Sequence, residues 1–174
     1  MRLTDLLKQE AEHSYVVTEA LFKMVDAQQL AWKPPNGRNW MTLGQLLMHC
    51  TQACGAGIKG FVTNDWGLPE GKTFEDLPPD QALPPAEALP AVESVAQALA
   101  LLAEDRGLAL RFLDQAGEEK LLTRTCAAPW GGAEMTLFQH LSHMVGHLDV
   151  HKSQLYYYLK LQGRDVNTSH LWGV

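Results

Sequence analysis

The apolar positions of the chain fall into four runs with helical spacing. Leu3, Leu6, Leu7, Leu21 and Val25, with the small polar Ser14 and Thr18 in register, repeat at intervals of three and four and predict an amphipathic helix over residues 3–25. Trp32-Lys-Pro-Pro-Asn-Gly-Arg-Asn39 then interrupts the pattern, because consecutive prolines remove backbone donors and Asn-Gly favours a turn. Thr42-Leu-Gly-Gln45 reads as a capping box opening a second helix, which turns Leu43, Leu46, Leu47, Cys50 and Ala53 inward. Residues 64–90, rich in Pro, Asp, Glu and Gly, predict a long crossover connection.

Pro90 suits the first turn of a third helix that runs over 92–115 and stops near Gly117. After a connection over 123–134, Thr136-Leu-Phe-Gln139 forms a second capping box and starts a last helix that continues to Leu161, ahead of Gly163. The tail, 164–174, packs back on the bundle or on a partner chain. No strand pattern emerges. The expected fold class is all-α, an up-down-down-up four-helix bundle with the long crossover between helices two and three, in one domain over 1–174.

Composition supports a folded domain and narrows the partners. Apolar residues make up 46% and charged residues 20% of 174, enough to bury a core without disulfides. A net charge of -6, with no cluster of Lys and Arg, argues against a nucleic-acid partner. Charges interrupt the apolar residues of the N-terminus, and no segment reaches membrane-spanning length, so neither secretion nor a membrane is expected. Cys50, Cys54 and Cys126 form an odd set with no Cys-x-x-Cys pair, which suits a reducing compartment; the expected location is the cytoplasm.

The chemistry concentrates on the last helix. Four of the seven histidines, His140, His143, His147 and His151, lie in HLSHMVGHLDVH. His140, His147 and His151 follow one edge of the buried stripe, while His143 projects further out. His147 and His151, four apart, have Cβ atoms roughly 5–6 Å from one another, the spacing at which two imidazoles grip one divalent ion. His49 is the histidine outside this helix that the pattern turns toward the core, on helix two, and it completes a set of three. Three neutral imidazoles leave coordination positions open, as catalytic rather than structural metal sites do. Burying such groups without partners costs about 1–3 kcal/mol each, which favours a metal or a hydrogen-bond network.

Asn39-Trp-Met-Thr-Leu-Gly-Gln-Leu-Leu-Met-His49 and His147-Leu-Asp-Val-His151-Lys-Ser-Gln154-Leu resemble the ligand-bearing helices of the DinB-like superfamily of bacterial metal-binding four-helix bundles. Pro129-Trp130-Gly131 and the Pro-rich connection are also similar, so the resemblance covers nearly the whole chain. Lys152-Ser153-Gln154 stands where many members have Arg-Gly-Gln. The resemblance implies nickel, zinc, iron or manganese held by His49, His147 and His151, often in a homodimer. It implies activities such as thiol-dependent transfer or isomerisation with a low-molecular-weight thiol such as bacillithiol or mycothiol as co-substrate.

The function expected from the residues and the resemblance together is that of a metal-dependent enzyme, a thiol-dependent transferase or hydrolase-like, acting on a small electrophilic molecule. The alternative is a non-catalytic metal- or ligand-binding bundle, which the lack of a carboxylate beside the ligands favours, since Asp149 points away. A bundle with no metal is a third reading. His140, His143, Gln154 and Trp130 are the candidates for groups around the metal or lining its pocket. Cys50 reads as a small core residue, Tyr156-Tyr-Tyr158 as packing aromatics that include one candidate proton donor, and His13 and His170 as structural or exposed.

Overall fold

The computed structural model describes residues 2–174, with side chains at all of them except positions 79 and 80. The fold is all-helical apart from one small ribbon. Helix α1 (Leu3–Phe22) is followed by α2 (Leu43–Cys50) and α3 (Gly55–Thr63), then by the one-turn α4 (Pro79–Ala82) within the crossover. Helix α5 (Val95–Ala116) leads into the short α6 (Glu118–Thr123), the antiparallel strands β1 (Thr125–Cys126) and β2 (Met135–Thr136), the long α7 (Leu137–Leu161) and α8 (Thr168–Trp172). Both α1 and α3 pack against both α5 and α7, and α2 lies on α7, so the core is enclosed by four rods, one of them broken.

Both capping boxes form. The Thr42 hydroxyl accepts from the Gln45 amide at 3.2 Å while Gln45 Oε1 accepts from the Thr42 amide at 2.8 Å. Thr136 and Gln139 repeat the arrangement at the start of α7. Gln45 does a second job: its Nε2 donates to the Leu89 carbonyl at 2.7 Å, tying the end of the crossover to the start of α2.

The third rod begins later than its sequence suggests. Val92 is buried, and its amide donates to the Gly44 carbonyl, which keeps this stretch extended alongside α2. Ser94 is the N-cap instead, accepting from the Gln97 amide, so the helix starts at Val95 rather than at Pro90–Val92. The region around 117–136 is also more regular than a plain connection. Glu118, opening α6, accepts from the Leu3 and Thr4 amides and so caps α1 from across the bundle. The two-residue strands close a turn carrying Trp130. The tail packs back on the bundle, with α8 against α1 and α7 and Val166 buried.

The main departure lies between α2 and α3. The expected second helix runs through Cys50 and on to Ala53, both of them buried. The backbone instead breaks at residues 51–54. A new helix start presents orphan amides, which must be paired if buried. Asp105, on α5 and only 3% exposed, supplies the acceptor: its carboxylate takes the Gly55 amide at 2.9 Å, the Ala56 amide at 2.8 Å and the Tyr15 hydroxyl at 2.5 Å. The approach requires glycine at 55, where a Cβ would stand 2.0 Å from the Asp105 carbonyl oxygen. Burial raises the Asp105 carboxyl against the pull of these donors and pushes the Tyr15 phenol far up, so Tyr15 remains a donor.

Replacing Asp105 by Ala would remove the acceptor of the Ala56 amide and of the buried Tyr15 hydroxyl and leave the Gly55 amide with the Tyr15 oxygen alone, each lost bond being worth about 1–3 kcal/mol. Asp105→Ala is therefore expected to lower the unfolding free energy by about 3 kcal/mol or more in denaturant titrations, and Asp105→Asn by clearly less. A loss below about 1 kcal/mol for the alanine variant would show that the break does not depend on this cap.

Candidate metal centre

Helix α2 carries His49 in its last turn, and α7 carries His147 and His151 one turn apart on the face that α2 covers. All three are half-buried, and together they form a group able to hold a metal ion. His151 Nε2 lies 3.0 Å from His147 Nε2, and His49 Nε2 lies 3.3 Å from the same atom. Two nitrogens bound to one ion at about 2.0–2.1 Å stand roughly 2.9 Å apart at a right angle and roughly 3.3 Å apart at the tetrahedral angle. The donor spacing fits a shared ion.

The partners of the other ring nitrogens decide which tautomers converge. His147 Nδ1 lies 3.0 Å from the Ala53 carbonyl, which the break in the helix releases and which can only accept. His147 therefore carries its proton on Nδ1 and turns a bare Nε2 inward. His151 Nδ1 lies 3.1 Å from Gln154 Oε1. The Gln154 amide is oriented in turn by Tyr158, whose hydroxyl donates to the Met41 carbonyl at 3.0 Å and accepts from Gln154 Nε2 at 3.3 Å. Each link fixes the next, so His151 also keeps its proton on Nδ1 and presents a bare Nε2. Two lone pairs then face each other at 3.0 Å, a repulsive contact unless a cation lies between them.

A shared proton is a poor substitute for that cation. Burial pulls His49 down to about 4, helped by the charges that His151 and His147 would carry. Burial also lowers His147, opposed by its bond to Ala53, and lowers His151, opposed by Gln154. Neutral imidazoles are the form a divalent metal takes up.

Comparison with protein families matches residues 10–155 to the DinB superfamily. The chain belongs to this superfamily. A comparison with curated proteins finds no match. Within this DinB domain the match spans both helices that carry the three histidines and the crossover between them.

The other candidate residues separate clearly. Gln154 orients His151, as described. Trp130 is 40% exposed and lines a cavity of about 410 Å³ that His147 also lines. His140 stands apart from the triad: it is buried, stacks on Phe61 at 4.1 Å and bonds the Cys126 carbonyl at 2.8 Å, so it fastens the ribbon to α7. His143 and His13 are exposed, and His170 caps α8 with Asn167. Asp149 turns to Ser14 and Lys152. The Cys50 and Cys54 thiols are buried and pushed up, Cys54 to about 12, which leaves both as poor nucleophiles. Tyr158 and the Ala53 carbonyl escape sequence reasoning. The first stands four residues after Gln154, a spacing that would have suggested the pair.

A pH dependence follows from the lowered histidines. Between about 4 and the ordinary 6.5, the unfolded chain binds protons that the folded triad refuses. Stability of metal-free protein is thus full above 6.5 and falls as pH drops through this window. Thermal unfolding from neutral pH down to about 4 should show this drop, and His49→Leu should shrink it. Parallel curves for the two proteins would refute the assignment of the drop to the triad.

Proposed function

We propose that the chain binds one divalent transition metal through His49, His147 and His151 and uses it as an enzyme acting on a small electrophilic molecule. The observation that carries the reading is the facing pair of bare Nε2 atoms on His147 and His151, each held in that tautomer by an acceptor on its far side. Superfamily membership supports it. Three imidazoles suit zinc, nickel or iron better than manganese, which prefers carboxylate and water oxygens. When bound, such an ion would supply Lewis acidity that favours the deprotonated form of a thiol or of water.

The surrounding residues favour the thiol. Hydrolysis commonly draws on a base beside the ion, and among the described residues no carboxylate joins the triad, while Asp149 is engaged by Ser14 and Lys152. A thiol, with an ordinary pKa near 8.5, gives up its proton far more readily. Thiol-dependent transfer is thus the reaction we infer, ahead of hydrolysis. The same missing base sustains a second reading, in which the bundle binds metal without turning anything over.

Protein purified without chelator is expected to hold close to one equivalent of metal, lost in His49→Ala and His147→Ala. Gln154→Leu should keep the fold but weaken metal affinity by about 10–100-fold, because His151 loses the acceptor that fixes its tautomer. A wild type that stays empty after reconstitution would sink the metal reading. A loaded protein that conjugates no thiol to any of a panel of electrophiles would leave the non-catalytic one.

A further inference from the structure

Beside His147 the fold leaves a cavity of about 410 Å³, of a size that accepts a small organic molecule. Its walls come from five separate segments: the α2–α3 break, α3, the crossover, the turn before α7 and α7 itself. Apart from His147, the one polar side chain among the described lining residues is the uncharged Gln52. Trp130 and Leu83 stand at the cavity with 40% and 67% of their surfaces exposed, apolar groups left in water at the edge of a reactive centre. One wall is soft. Gly57 has no side chain, and the Met144 thioether occupies the space instead; a Cβ at 57 would stand 2.4 Å from the Met144 sulfur. Methionine reshapes readily around an apolar guest.

Resting on the reading that the triad is the reaction centre, we infer that this cavity selects the electrophile, and that the electrophile is an uncharged molecule with an aryl or alkyl body. The body lies among Trp130, Leu83 and Met144, with its polar end toward His147 and Gln52. A charged group buried in the body of the cavity would be desolvated with no charged side chain among the described lining residues, which is costly, and an anion that reached an ion on His147 would do so as a ligand of that ion and not as a guest of the cavity. Low-molecular-weight thiols that carry carboxylates or phosphates are excluded on the same ground. The thiol must approach the triad from another side.

Fluorine NMR on the metal-loaded protein, with the open positions of the ion saturated by a simple thiol, tests this with three probes of one shape: para-fluorobenzyl alcohol, para-fluorobenzylammonium and para-fluorobenzenesulfonate. The alcohol should bind roughly tenfold more tightly than either ion. Trp130→Ala should erase that preference. Leu83→Lys, at an exposed position where the fold is not at stake, should turn it toward the sulfonate. Equal binding of the three probes, or an alcohol affinity unchanged in Trp130→Ala, overturns the inference. Metal content measured on the same samples separates it from the reading it rests on. A loaded protein without preference loses the cavity and keeps the metal centre, whereas an empty protein that still prefers the alcohol loses the metal and keeps the cavity.

Discussion

The site depends on what happens to backbone polar groups when a buried helix breaks. At residues 51–54 the chain releases amides on one side and a carbonyl on the other, next to the buried Ala53, Cys54 and Gly55, where polar groups need partners. Asp105 takes the amides and His147 takes the Ala53 carbonyl. The second pairing turns a structural necessity into chemistry, because the proton that satisfies the carbonyl is the one that would otherwise sit between the histidines. A continuous helix over 43–63 would keep the carbonyl for itself and leave the His147 tautomer open.

Tautomer control runs through two independent chains that end on neighbouring rings. One is short, from backbone to His147. The other passes from the Met41 carbonyl through Tyr158 and Gln154 to His151, and its first member is backbone as well. Anchoring both ends in main-chain carbonyls, which cannot change their role as acceptors, makes the convergence of lone pairs a property of the fold rather than of rotamer choice. Tyr158 is buried, and Trp32 packs edge-on to it at 5.3 Å, so the loop after α1 braces the chain of bonds that ends on His151.

The sequence made α7 legible because its cues are local. Histidines four apart, a capping box in front and Gly163 behind need nothing from elsewhere in the chain to be read. The inward face of α2 and the placement of His49 were legible for the same reason. The break after Cys50 was not, since the apolar repeat runs straight through it and its cause, Asp105, lies 50 residues from Gly55. The late start of α5 likewise follows from a distant partner, the Gly44 carbonyl, drawing Val92 into extended backbone. His140 shows the opposite failure. It shares an edge of the helix with the ligands, but position along the rod sends it to Phe61 and the ribbon instead of the triad. Leu83 could not have been read at all, because a crossover rich in proline gives no period from which to place a side chain.

Three neutral donors have a consequence for charge. On the reading that the triad holds a divalent ion, neither positive charge is balanced by a ligand, and among the described residues no carboxylate joins the group. That imbalance favours an anion as a direct ligand of the ion. A thiol that loses its proton on arrival meets the need, and the apolar cavity cannot supply the anion itself. On the proposed reaction the two reactants are sorted by different forces, the thiol by charge at the triad and its target by exclusion of charge from the body of the cavity, so that two neighbouring environments would supply the recognition the reaction needs.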